Sequence, residues 1–265
     1  MNTGVLSDHS LPPLPVPARS LRGLKVAAHV AKSLFVPTGA SRISDRTSRK
    51  NFDPLSLWCR DLLELLGIDV AVEGRLPESG PFLLVANHIS WIDILLIRSL
   101  FPARFVAKEE IALWPMVGAG ARRAGTLFIA RGRLSSLRTI IEQVSQNLED
   151  GAPVAFFPEG TTTTGDRLLP FKSGIFESSV RTGVPVLPLA IRYENAPGSP
   201  TRSIAYTGGE SFGASFWRTL GERRITARIV LCPPVHPEEL SRKELAARSR
   251  ELLSEALSPS LGGNF

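Results

Sequence analysis

Residues 81–93 read PFLLVANHISWID. Positions 82–86 are apolar without a break, the pattern of a strand buried on both faces. Two polar residues, Asn87 and His88, end the run, and a helix can begin a few residues later. Strand, polar turn and helix start therefore follow one another directly. The same succession recurs along the chain. Strand-like runs stand at 104–107, 126–130, 154–157 and 186–191, each followed by a turn or a helix. Between the runs at 126–130 and 154–157, Leu134, Leu137, Ile140, Ile141, Val144 and Leu148 recur at helical spacing, and Gly151 closes the segment. Further strands are expected near 203–207 and 225–231. A last helix opens on Ser241 and Glu244, the two ends of a capping box. Buried strands alternating with helices specify an α/β fold, with a largely parallel central sheet flanked by helices.

Upstream, a helix is expected over 54–67. Leu55, Leu57, Trp58, Leu62, Leu63, Leu65 and Leu66 form its apolar face, Asp53-Pro54 start it and Gly67 ends it. Residues 21–36, LRGLKVAAHVAKSLFV, are apolar but broken by Arg22, Lys25, His29 and Lys32. That pattern fits a helix lying on a membrane surface, or one packed on the domain itself. Residues 1–19 contain Pro12, Pro13, Pro15 and Pro17 and read as an extended or disordered tail. The division expected is a tail over 1–19, an N-terminal amphipathic helical pair associating with membrane over 20–70, and a catalytic domain over 71–260. No apolar run reaches the roughly 18 residues of a membrane-spanning helix. The N-terminus also lacks a cleavable signal pattern.

The 265 residues are 43% hydrophobic and carry a net charge of +6, so a packed core is feasible and an anionic partner is implied. Nucleic acid is disfavoured, because the basic residues are scattered and not interleaved with exposed aromatics. Cys59 and Cys232 match no metal or redox spacing, which suits a reducing compartment, and no metal site is expected.

Residues five apart lie about 140° apart on a helix and on opposite faces of a strand. His88 and Asp93 can therefore meet only if the chain bends between them. With Ser90 as N-cap, Asp93 would be the third helical residue and His88 would lie just before the helix. A carboxylate there stays ionised near the positive helix end and can hold one imidazole nitrogen, leaving the other as a base. Ser90 and Asp93 also form a capping-box pattern, which could account for Asp93 alone. The polar pair Asn87-His88 at a strand end points the other way, since open α/β sheets place ligands there.

A second polar cluster, Phe157-Pro158-Glu159-Gly160 with threonines at 161–164, also follows a strand. Gly160 and Gly165 have phosphate-loop spacing, but Asp166 stands where the lysine should be, so that loop is rejected. A third, Gly125 to Arg131, puts an arginine at a strand end, where it can clamp an anion. Lys108 and Lys172 are lesser candidates for added positive charge. Gly118-Ala119-Gly120 lacks the third glycine of a dinucleotide loop, since Arg123 stands there.

Together these segments resemble the glycerolipid acyltransferase family that includes 1-acyl-sn-glycerol-3-phosphate acyltransferase. Asn87, His88 and Asp93 match its N-H-x-x-x-x-D motif, and Gly125, Phe128 and Arg131 look like its second motif. Phe157-Pro158-Glu159-Gly160-Thr161 matches F-P-E-G-T, and Val184-Pro185-Val186-Leu187-Pro188 resembles its proline-containing fourth block. The resemblance covers roughly residues 70–235.

The resemblance implies O-acyl transfer from acyl-CoA or acyl-carrier protein to a lysolipid hydroxyl. His88 would be the base and Asp93 its orienting carboxylate. Arg131, Glu159, Gly160 and Thr161 would bind the acceptor, with help from Lys108. No cofactor or metal is implied. The partners would be the lysolipid, the acyl donor and a membrane surface on the cytoplasmic side. The acceptor expected first is 1-acyl-sn-glycerol-3-phosphate, the common one of the family, with lyso-ornithine lipid as the alternative; a non-catalytic membrane- or lipid-binding protein is the alternative of a different class. Two features depart from the common acceptor's pattern. Ala130 stands where an acidic residue usually precedes the arginine, and the stretch from Pro158 to Ser173 is similar to the branch that acylates lyso-ornithine lipid.

Overall fold

The computed structural model describes residues 12–32, 53–77, 80–114, 117–130, 134–195 and 199–261, with the backbone alone at 117, 134 and 259–261. Its strands are β1 (Ile68–Glu73), β2 (Leu83–Ala86), β3 (Arg104–Lys108), β4 (Leu127–Ile129), β5 (Val154–Phe156), β6 (Val186–Asn195) and β7 (Ile225–Leu231). They form a seven-stranded sheet in the order β1-β7-β6-β2-β5-β3-β4. β2 and β5 are buried at every position and β6 at all but Arg192, so these three occupy the centre. Neighbours run parallel except β6 and β7. The α/β fold with a largely parallel sheet is the one expected.

Helices cover both faces. α1 (Val16–Lys32), α2 (Pro54–Leu65), α3 (Ile92–Leu100) and α8 (Phe212–Gly221) close one core with Leu63, Leu96, Leu187, Leu189 and Leu220. α6 (Leu134–Glu149), α7 (Glu177–Thr182) and α9 (Arg242–Leu261) close the other with Ile140, Val144, Phe176 and Leu253. The split follows from strand geometry, since successive side chains point to opposite faces. Two short helices, α4 (Glu109–Ala112) and α5 (Val117–Arg123), follow β3. The rejected dinucleotide glycines lie here. A Cβ on Gly118 would fall 2.2 Å from the Ala112 carbonyl oxygen, so that glycine serves close helix packing.

Three expectations change. First, residues 12–19 are not a loose tail. The Leu14 N–H donates to the Gly221 carbonyl at 2.7 Å, and α1 already begins at Val16. Residues 1–11 and 33–36 lie outside the described residues. Second, the boundary expected at residue 70 falls inside a packed unit. α2 buries Cys59, Leu62 and Leu63, and its N-cap Asp53 forms a buried two-pronged ion pair with Arg98 of α3 at 2.7 and 2.8 Å. β1 then pairs along its whole length with β7. Third, 203–207 is not a strand. Arg218 donates to the carbonyls of Ser203 and Ala205, which a sheet would otherwise have to satisfy.

α1 packs on the domain, as one of the two readings held. Arg22 turns inward and donates to the carbonyls of Leu66, Leu220 and Glu222 at the ends of α2 and α8. His29 and Trp58 exchange hydrogen bonds and stack at 5.2 Å. Leu21 and Leu24 are left outward.

Candidate active site

Parallel pairing brings the carboxyl ends of β2, β5, β3 and β4 to one edge of the sheet. His88 follows β2, Glu159 follows β5, Lys108 ends β3 and Ala130 follows β4. This is where an open α/β sheet binds ligands. Lys108 lies in register with Ile129, directly before Ala130.

The bend required between His88 and Asp93 is present. The His88 Nδ1 lies 2.8 Å from Asp93 Oδ2. The same oxygen accepts the backbone N–H groups of Ile89 at 2.7 Å and Ser90 at 2.9 Å. Asp93 is fully buried, whereas the His88 side chain is 18% exposed. α3 begins one residue later than expected. Trp91 is its N-cap and makes no side-chain cap bond, so Ser90 is not the cap. Of the capping box, the Ser90 N–H donates to the Asp93 carboxylate, while the Ser90 hydroxyl accepts the Ile92 N–H at 3.4 Å instead of that of Asp93. One carboxylate thus does both things the sequence left open, closing the helix start and holding the imidazole.

With Nδ1–H donated to Asp93, the tautomer assigned by this bond leaves Nε2 as an acceptor. The imidazole cannot tilt freely. Phe157 stacks on it with centroids 3.8 Å apart and planes 7° from parallel. The main chain is fixed as well. The His88 N–H donates to Glu159 Oε1 at 2.9 Å, and its carbonyl accepts the Thr163 N–H at 2.8 Å. Asn87 pairs its side chain with both backbone groups of Ile191 on β6, at 2.9 and 2.7 Å.

Glu159 was expected to touch the acceptor. Its second oxygen instead takes the Leu169 N–H at 2.9 Å, so each carboxylate oxygen holds a backbone amide. Burial pushes its carboxyl above the usual range, opposed by those two amides. Its geometry is that of a strap joining the β5 loop to His88. Gly160 sits in the left-handed region at φ 71°, and a Cβ there would lie 2.6 Å from Lys172 Nζ. Lys172 is therefore brought against the motif. Thr161 is exposed, and Thr162 donates to the Tyr206 carbonyl. Arg131 lies outside the described residues.

Two side chains were missed. Phe157 enters the sequence reading as part of the F-P-E-G-T match without a role of its own, although the two-residue period sends Phe156 to one core and Phe157 to the other, toward His88. The other is Tyr193, whose hydroxyl donates to Asp93 Oδ1 at 2.5 Å. Nothing local in the sequence distinguishes it from a core aromatic.

Fold and site define an α/β protein with a histidine–carboxylate pair at the strand ends. Residues 68–192 match the family model described as Acyltransferase. The chain is 37% identical over 200 residues to a lyso-ornithine lipid O-acyltransferase of Pseudomonas aeruginosa, covering 76% of each chain. It is 36% identical over 171 residues to a 1-acyl-sn-glycerol-3-phosphate acyltransferase of Neisseria meningitidis, covering 64% of this chain and 67% of that one. The crystal structure of a 1-acyl-sn-glycerophosphate acyltransferase from Thermotoga maritima shares the fold, with a TM-score of 0.64 at 24% identity over 93% of this chain and 99% of that one. The chain belongs to the acyltransferase family, and it is an acyltransferase.

Proposed function

We propose that the protein transfers a fatty acyl group from a thioester donor, acyl-CoA or acyl-carrier protein, to the hydroxyl of a lysolipid. The observation that carries this reading is the His88–Asp93 pair with Nε2 left as an acceptor. His88 Nε2 takes the acceptor's hydroxyl proton as the oxygen attacks the thioester carbonyl carbon. The tetrahedral intermediate then expels the thiolate, which recovers the proton from the imidazolium. Asp93 stabilises that cation and keeps the ring in register. No metal or prosthetic group is called on, because the thioester is already activated and one positioned proton transfer carries the step. The test is His88→Ala. Turnover should be lost while the fold survives, and turnover at the native rate would overturn the assignment.

Two acceptors fit. A phosphate head group, as in 1-acyl-sn-glycerol-3-phosphate, is suited to the positive charge of Lys108, Lys172 and Arg131. Lyso-ornithine lipid is favoured by Ala130 and by an ion pair near the site. Asp166 and Arg202 lie 3.0 Å apart, and neighbouring Gly165 packs on Ile89. Ornithine carries an ammonium and a carboxylate, which could exchange partners with such a pair, whereas Asp166 would repel a phosphate. Purified enzyme offered both lysolipids, read by mass spectrometry, separates the two.

The same reading places the protein at a membrane surface. Among the described residues no helix is long and apolar enough to cross a membrane. α1 turns Val16, Leu21 and Leu24 outward, more than half exposed, beside Lys25 and Lys32, and it contains no acidic residue. This face suits an anionic bilayer. Leu21→Asp with Leu24→Asp should reduce flotation with anionic vesicles, and undiminished flotation would refute the role of α1.

A further inference from the structure

β2 stops at Ala86, opposite Leu189 of β6, but β6 runs on to Asn195. Its later residues flank the loop that carries His88. Leu187, Leu189, Ile191 and Tyr193 all face the α3 side of the sheet. Ile191 holds Asn87 by both backbone groups, and Tyr193, one pleat further on, reaches Asp93. One strand thus supports both ends of the N-H-x-x-x-x-D motif.

We propose that Tyr193 is a positioning residue for acyl transfer, its hydroxyl fixing the Asp93 carboxylate and through it the direction and basicity of His88. The inference rests on His88 being the base.

Asp93 Oδ2 serves three donors, whereas Oδ1 has Tyr193 as its one donor among the described residues. Asp93 is 0% exposed and Tyr193 2%, which leaves no surface from which bulk water could replace the hydroxyl. A buried carboxylate oxygen without a donor is costly, and it is also more basic. Tyr193 itself does not titrate in a working range, since burial and the neighbouring Asp93 hold it well above its ordinary value. It can only donate. The other titratable groups at the Asp93 carboxylate are His88 and, from the β5 loop, Glu159, which interacts with His88 and with Asp93.

Removing the hydroxyl should make Asp93 a stronger proton acceptor and let it swing. His88 would then hold its proton more tightly, and the acid limb of the kcat profile would move to higher pH. Tyr193 has almost no surface to offer a substrate, so KM for the lysolipid should not move.

The test compares full-length wild type, Tyr193→Phe, Asp93→Asn and the double variant on the lysolipid that the wild type acylates. Phenylalanine fills the same volume. Losing a hydrogen bond to a charged group should lower kcat about tenfold to a hundredfold. KM should stay constant and the acid limb should shift upward. In the Asp93→Asn background the second substitution should cost little more, because Tyr193 acts through that carboxylate. A native kcat and pH profile in Tyr193→Phe would overturn the proposal. So would a loss that merely tracks the folded fraction in a thermal melt, or full additivity in the double variant. His88→Ala run alongside separates the two readings. An active His88→Ala removes the base itself, whereas an inactive one beside a fully active Tyr193→Phe removes only the role of Tyr193.

Discussion

Two stretches of the same sheet edge are built very differently. At β2 and β5, every strand residue is buried, and His88 is held at its ring, its amide and its carbonyl by four separate neighbours. At β3 and β4 the strands are mostly half-buried, β4 throughout, with Lys108 at the end of one and Ala130 just after the other. On the proposed function, the centre fixes the base, whose geometry must be right for any acceptor. The margin offers charge on the long side chain of Lys108. A rigid reacting group beside an adaptable binding rim is the arrangement expected where chemistry stays constant and the head group varies.

The contrast predicts where substitutions will act on kcat and where on KM. The largest effect is expected at the centre. His88→Ala should lower kcat by about a thousandfold or more, with an unchanged melting temperature, in a steady-state assay. Glu159→Gln comes next. An amide cannot accept two N–H groups in the way a carboxylate does, so one of the His88 and Leu169 amides loses its partner. Stability should fall by about 1–3 kcal/mol in a denaturant titration, with kcat falling alongside. At the margin, Lys108→Ala should raise KM for an anionic lysolipid about fivefold and leave kcat within a few-fold. A large kcat loss there would break the comparison. Ala130→Glu should shift the preference between phosphate and ornithine acceptors only a few-fold, read by competition.

The smallest effect concerns the α2 anchor. Burial raises the Asp53 carboxyl, but the Arg98 guanidinium and Ser56 outweigh it, so the net value lies below the ordinary one. A depressed carboxylate contributes stability that is present above its unfolded pKa and is lost as pH falls through the folded value. The melting-temperature difference between wild type and Asp53→Asn should therefore be constant near neutrality and shrink in acid. A difference that grows in acid would reverse the sign assigned to Asp53.

The sequence made the centre legible because its signals are local. His88 and Asp93 lie five residues apart, and Glu159 follows directly on an apolar run. The N-cap at Asp53 and the capping box at Ser241 are likewise read from adjacent residues, and both are made. What escaped depends on distant partners. Tyr193 meets Asp93 across a sequence separation of 100 residues. β1 is absent from the expected strands, because Asp69 and Glu73 break its apolar pattern and the guanidinium groups that satisfy them, Arg224 and Arg228, belong to the β7 side of the sheet. Conversely, the run at 203–207 has strand composition, but Arg218 takes its carbonyls. Composition cannot reveal a partner supplied by a different element.

Glu159 ties together amides 71 residues before it and 10 residues after it. The loop between Gly160 and Leu169 therefore has a set length as well as a set composition. Surface loops usually accept insertions and deletions. Here one residue added or removed would displace the Leu169 amide by about 3.3 Å, the rise of an extended residue, and detune the backbone of His88. The loop works as a gauge block, and among acyltransferases built this way its length should vary less than that of its neighbours.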